Sequence, residues 1–144
     1  MSDIYLQKAQ AKDEAFVKKL TKETMQKYVN ETWADTTSRE DYFVQNTFNQ
    51  KETQIVYKNN EAIGWISLTE SETDIYIGGI HLLSSAQGQG IGKKLLSDVI
   101  EQGKGKQKSL SLMVLKVNPA KILYERLGFS VYNESIERFY MRKV

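Results

Sequence analysis

The chain has 144 residues, of which 40% are hydrophobic and 26% charged, the size of one domain with enough apolar residues to build a core without metal or disulfide staples. Its 20 basic and 18 acidic residues leave a net charge of +2, too small a field to demand a nucleic acid. With no cysteine and a single histidine, His81, thiol nucleophiles, disulfides, cysteine-held zinc and multi-histidine metal sites are excluded, and no metal is expected.

Met1 to Ala9 lacks a basic region followed by a long apolar run, and no segment approaches the roughly 18 consecutive apolar residues of a membrane span. The expectation is therefore a cytoplasmic protein that uses neither membrane nor nucleic acid, organised as a single domain over 1–144. Ile4 to Ala9 alternates weakly and suits an edge strand, while Phe16, Val17, Leu20, Thr24 and Tyr28 fall at helical spacing and predict a helix over 13–30. Glu31 to Asp35 reads as a loop, and Arg39 to Phe48 as a second, shorter helix. Thr53 to Tyr57 and Ala62 to Leu68 are strand-like, joined by Lys58-Asn59-Asn60-Glu61, whose asparagines tolerate the positive φ of a tight hairpin.

Asp74 to Leu83 is a third strand, in which Gly78-Gly79 suggests either a bulge or the close approach of another group. Ile91, Leu95, Leu96, Val99 and Ile100 then form a helical face expected to end at Gly103. The basic run Gly103 to Lys108 reads as a solvated turn. Ser109 to Val117 returns to strand composition. Asn118 suits an N-cap, Pro119 the first helical position and Gly128 the residue just past the end, with Ala120, Leu123, Tyr124 and Leu127 facing inward. Phe129 to Tyr132 and Ile136 to Met141 close the chain as strands. The crossover over 74–117 implies a parallel pair within a mixed sheet.

Between the third strand and its following helix lies Gln87-Gly88-Gln89-Gly90-Ile91-Gly92. A glycine-rich turn at a helix N-terminus offers backbone N–H groups and a positive dipole end to a phosphate. A Walker A loop would need Gly at 87 and Ser or Thr at 94, where Gln87 and Lys94 stand. A dinucleotide fingerprint starting at Gly88 would need Gly in place of Lys93. Both nucleotide readings fail.

What remains, Gln-x-x-Gly-x-Gly within the stretch Ile80 to Gly92, resembles the acetyl-CoA signature of the GCN5-related N-acetyltransferases (GNAT superfamily). Downstream, Asn118-Pro119-Ala120-Lys121-Ile122-Leu123-Tyr124-Glu125-Arg126-Leu127-Gly128-Phe129 resembles the second motif of that family, and the element order is similar over essentially the whole chain. The resemblance implies an α/β (α+β) fold, with a mixed, mostly antiparallel sheet of six to seven strands flanked by four helices. It also implies acetyl transfer from acetyl-CoA to a primary amine of a small molecule by direct attack in a ternary complex. A protein lysine or N-terminal acetyltransferase, or a CoA-binding regulatory module without turnover, are the alternatives. The expected partner is the amine acceptor, and homodimerisation is left open.

Residue by residue, the resemblance implies that the segment Gly88, Gln89, Gly90, Ile91, Gly92 and Lys93 holds the pyrophosphate through backbone N–H groups, with Gln87 bracing it. The pantetheine would run beside the backbone of Ile80 and Leu82 and touch Asn118, and Tyr124 would reprotonate the departing thiolate. The strand position where many family members carry a carboxylate base is Tyr76 here, which leaves His81 as the titratable side chain nearest the thioester, although strand alternation turns it away from Ile80 and Leu82. Tyr28 and Trp33, with Tyr76, are candidates for acceptor binding, and Tyr42, Phe43, Glu31 and Asp35 supply further aromatic walls and negative charge. The acidic turn of Glu70, Glu72 and Asp74 reads as solvated, with attraction of a cationic acceptor as the other reading.

Overall fold

The computed structural model of the chain describes residues 3–33 and 48–144. Along it run β1 (Ile4–Lys8), α1 (Glu14–Thr32), β2 (Thr53–Lys58), β3 (Glu61–Glu70), β4 (Asp74–Leu82), α2 (Ile91–Lys106), β5 (Ser109–Leu115), α3 (Ala120–Arg126), β6 (Ser130–Glu134) and β7 (Arg138–Lys143). Single 3₁₀ turns lie at Ala11–Asp13 and Ser84–Ala86. The strands form one seven-stranded sheet in the order β1-β2-β3-β4-β5-β7-β6. It is mixed. β1 with β2, β2 with β3, β5 with β7 and β6 with β7 run antiparallel, and β4 pairs in parallel with β5, which requires the crossover that α2 supplies. Three α-helices stand among the described residues, where four were expected. The fourth, over 39–48, falls outside the described residues except for Phe48, which is irregular.

Residue contacts divide the chain into two compact units, Met1–Ser67 with Gly79–Gln89, and Leu68–Gly78 with Gly90–Val144. In the first, α1 begins after Asp13, whose carboxylate accepts the Gln10 N–H at 2.8 Å. The helix buries Val17, Leu20, Thr21 and Val29 at the spacing of one helical face. Ala9, Val17, Leu20, Ile55 and Trp65 form its core, with Phe16, Phe48, Tyr57, Ala62 and Leu83 packed around them. The one buried hydroxyl on the helix, Thr21, donates to Val17 O at 2.7 Å, so its burial leaves no donor unmet. The helix continues to Thr32 before Trp33 leaves it in an extended conformation, so Glu31 and Thr32 are helical rather than loop. Asn59 and Asn60 take φ of 52° and 70°, the left-handed pair that a two-residue hairpin between β2 and β3 needs.

In the second unit, Ile75, Ile77, Leu110, Leu112, Val114 and Met141 are buried on the strands, and Ile91, Leu95, Leu96 and Val99 on α2. Three sequence expectations are corrected here. First, α2 does not end at Gly103 but runs to Lys106, with Gln107 at φ 57° closing it through bonds to Gly103 O and Lys104 O. Gly103 is instead a buried contact point, since a Cβ there would lie 3.1 Å from both the Leu110 side chain and Lys108 O. Second, the basic run is solvated as expected but begins as the last helical turn, Gly103 to Lys106, before the cap at Gln107. Lys106 and Lys108 both bond Glu70, at 3.0 and 2.6 Å, and these ammonium groups hold the Glu70 carboxyl below its ordinary pKa. The acidic turn is therefore occupied by its own chain, because Asp74 also accepts the hydroxyls of Ser109 and Ser111 at 2.7 and 2.6 Å. Third, the last hairpin is displaced toward the C-terminus. Phe129 is core rather than strand, and Ile136 sits in the turn, 88% exposed.

Candidate active site

In the first unit lie the end of β4 and the start of the glycine turn. β4 runs through Gly78-Gly79 as one strand, and the close approach expected of that pair is seen at Gly79. A Cβ on Gly79 would come 2.8 Å from the Trp65 ring and 3.1 Å from His81 Nε2. The space is used for stacking, with the His81 and Trp65 rings 4.6 Å apart at 24°. His81 Nδ1 lies 2.6 Å from Thr24 Oγ1, which is also 3.0 Å from Leu20 O. The hydroxyl has one proton, so when it serves Leu20 O the imidazole must donate from Nδ1. Loss of water around the ring lowers the His81 pKa to about 4, which makes it neutral and a feeble base at pH 7.

Ile80 and Leu82, partly buried, flank His81 on β4, whose end is fixed by Leu83 N–H to Ile63 O at 2.8 Å. Beyond the 3₁₀ turn, Gln87 Nε2 donates to Leu82 O at 3.0 Å and Gln89 Nε2 to Ser85 O at 2.8 Å. Both glutamine side chains therefore fold the turn back onto its own backbone. Gly88 between them has φ 76°, with nothing within 4 Å of where a Cβ would stand. Tyr28 and Trp33 lie at the C-terminal end of α1, both partly buried, with Trp33 N–H on Val29 O at 3.0 Å. Asp35, Tyr42 and Phe43 lie outside the described residues.

In the second unit lie the helix start and the downstream motif. Gly90, at φ 81°, caps α2, and the position of its Cβ is likewise open. The first turn carries no acidic side chain, so the positive end of the helix dipole is uncompensated there. Ile91 is buried and pins that turn, while Gly92 and Lys93 follow it. Asn118 Oδ1 accepts the Ala120 N–H at 2.9 Å, capping α3 and leaving its amide N–H groups for another partner. Gly128, at φ 100°, ends that helix, with Phe129 N–H on Tyr124 O at 3.0 Å. The Tyr124 ring meets Phe129 edge-on at 6.1 Å, and burial raises its pKa above the ordinary phenol value. Tyr76, opposite Ser111 in the parallel ladder, is also raised by burial, a shift opposed by Arg138. That ladder covers Asp74–Ile77 against Ser109–Leu112, while β4 continues to Leu82 and β5 to Leu115.

Three contributors lie outside the motifs. A Cβ on Gly64 would collide with the His81 carbonyl oxygen, and the signal for it was a glycine inside a strand. Thr24 and Lys58 reach their partners across long sequence separations, Lys58 Nζ donating to Gln89 Oε1 at 3.1 Å. Nothing local in the sequence marks either. Among the described residues there is no group of three or more His, Asp or Glu side chains that could hold a metal ion, and no helix long and apolar enough to cross a membrane.

The fold is shared with solved N-acetyltransferases. The fold is similar to PaiA N-acetyltransferase from Thermoplasma acidophilum in complex with coenzyme A, with TM-score 0.78 and 16% identity over 97% of this chain and 98% of that one. It is similar as well to Ard1 from Thermoplasma volcanium, with TM-score 0.69 and 15% identity over 98% and 97%. Arabidopsis thaliana Naa50, solved with the bisubstrate analogue CoA-Ac-MVNAL, gives TM-score 0.66 and 21% identity over 99% of both chains. No curated protein matches the sequence. The acetyltransferase (GNAT) family profile matches residues 17–129, and the chain belongs to that family.

Proposed function

We propose that the protein transfers the acetyl group of acetyl-CoA to a primary amine on a small molecule. The observation that carries the CoA assignment is the pair Gly88 and Gly90, both left-handed and both bordered by open space where side chains would otherwise stand. Such a turn at the start of α2 leaves backbone N–H groups from Gly88 to Lys93 approachable by a diphosphate. In this reading Ile80 and Leu82 face the pantetheine through backbone, and the amide N–H groups of Asn118 that capping leaves over meet its carbonyls. The acceptor nitrogen attacks the thioester carbonyl, the tetrahedral adduct collapses, and the CoA thiolate leaves with a proton from Tyr124. The raised pKa of that phenol keeps the proton in place until the thiolate forms. The amine's own proton goes to water, because His81 is too weak a base at neutral pH.

A second reading, N-terminal acetylation, has support in the likeness to Naa50 bound to a peptide-bearing analogue. Aromatic residues at the end of α1, Tyr28 and Trp33, support the small amine, since their faces can hold an ammonium-bearing stem. One experiment separates the readings. The wild-type protein is given acetyl-CoA with alkyl amines, with peptides bearing free N-termini and with lysine peptides, and thiol release is followed. Release with amines only is expected. Release confined to peptides moves the assignment to a protein substrate, and CoA binding with no release to any acceptor leaves a regulatory module.

A further inference from the structure

Lys58 ends β2 at a hairpin that is itself held in place. Asn59 N–H donates to Asp3 O at 3.3 Å, Tyr5 Oη donates to Asn60 Oδ1 at 2.9 Å, and the Tyr5 and Tyr57 rings stack at 5.3 Å. From this anchored tip the Lys58 ammonium donates to Gln89 Oε1 at 3.1 Å, while the nitrogen of the same amide donates to Ser85 O at 2.8 Å. The side chain of Gln89 is thus gripped at both ends. Gln89 is the residue between the two left-handed glycines, so whatever holds it limits the freedom of the most flexible stretch of backbone in the turn. Ordering such a turn on binding costs conformational entropy, and a tether already present in the free protein reduces that cost. An ammonium has three N–H donors, and the bond to Gln89 uses one, which leaves donors and a full positive charge beside the turn.

We infer that Lys58 is a positioning residue for the phosphate-bearing end of CoA, acting by holding Gln89 and by placing positive charge beside the glycine turn. The inference rests on the reading that this turn holds CoA. Its removal should weaken binding in a salt-dependent way that a merely structural role would not produce, because a contact of this exposure is screened by added ions.

The test measures CoA dissociation constants by calorimetry at 50 and 300 mM salt for wild type, Lys58→Met, Lys58→Gln and Lys58→Arg, with thermal unfolding alongside. At low salt the Met and Gln variants should bind about 3–10-fold more weakly, the expected size of one partly screened ionic contact. The gap should fall below about 2-fold at high salt, and Arg should restore binding. Wild-type affinity in the Met and Gln variants, or a deficit equal at both salts, overturns the role of Lys58 while leaving the CoA site standing. Absence of CoA binding in the wild type overturns the CoA assignment and this inference with it.

Discussion

Burial acts in opposite directions on Tyr124, the proposed acid, and His81, the candidate base that the structure makes weak, because it always disfavours the charged form. For Tyr124 the charged form is the phenolate, so the proton is held more tightly. For His81 it is the imidazolium, so the proton is lost at about pH 4. Tyr124→Phe, which keeps the ring against Phe129 and removes only the hydroxyl, should lower turnover roughly 10²–10⁴-fold with thermal stability nearly unchanged. Full turnover together with a loss of about 1–3 kcal/mol would make the hydroxyl a structural hydrogen-bonding group instead. The His81 sign follows from linkage. Its folded pKa lies below the unfolded value near 6.5, so the unfolded chain takes up the proton first as pH falls, and stability present above about 6.5 is lost progressively toward 4. By pH 5 the loss from this group is about 2 kcal/mol. Urea unfolding at pH 7 and 5 should show a difference in wild type that shrinks by about that amount in His81→Asn, and equal differences in the two proteins would refute the desolvated, neutral imidazole. The same low pKa implies that kcat/KM on an alkyl amine has no inflection between about 5.5 and 7.5 and climbs toward the amine's own pKa; an inflection near 6.5 that vanished in His81→Asn would make His81 the base after all.

At the scale of the elements, the glycines do two unlike jobs. Gly64 and Gly79, inside strands, make room for something already there, whereas Gly88 and Gly90 border empty space. Gly64→Ala drives its Cβ into the His81 carbonyl, a backbone atom that cannot swing aside. A loss of stability of about 2 kcal/mol or more is expected, read as a lower urea midpoint, and an unchanged midpoint would show that β3 and β4 yield freely. At Gly90 an added Cβ meets no neighbour, so the main folding cost of Gly90→Val is the left-handed backbone, about 1–2 kcal/mol. Under the proposed phosphate assignment its effect on CoA should be far larger, because the side chain would stand in the path of the diphosphate. A folded Gly90→Val chain with wild-type CoA affinity would disprove the phosphate assignment. The sequence made the open glycines legible through their spacing and their place before an apolar helical face. It could not show that Gly103 is a packing residue, because Gln107 rather than a glycine takes the left-handed closing position, and side chains other than glycine and asparagine do so rarely.

Across the whole molecule, what was legible was what repeats locally. Strand and helix periods, the Asn59-Asn60 turn and two motifs on the right elements were enough to give the mixed sheet and its crossover. What was not legible depends on residues distant in sequence. Phe129 and Ile136 are both apolar, yet one fills the core and the other is solvated, and local sequence does not tell them apart. Thr24 with His81, and Lys58 with Gln89, are likewise pairs that only the fold creates. Ligand binding is the property that tests the whole chain at once, since a ligand held only by the folded state stabilises all of it by mass action. CoA at a hundredfold excess over its dissociation constant adds about 2.7 kcal/mol, which for a chain of this length is a rise in Tm of roughly 7–12 °C. The rise should grow logarithmically with CoA concentration. It should be absent in Gly90→Val, whose own Tm should fall by only a few degrees. A wild-type Tm that stays flat up to millimolar CoA would mean that the folded chain does not take the proposed cosubstrate.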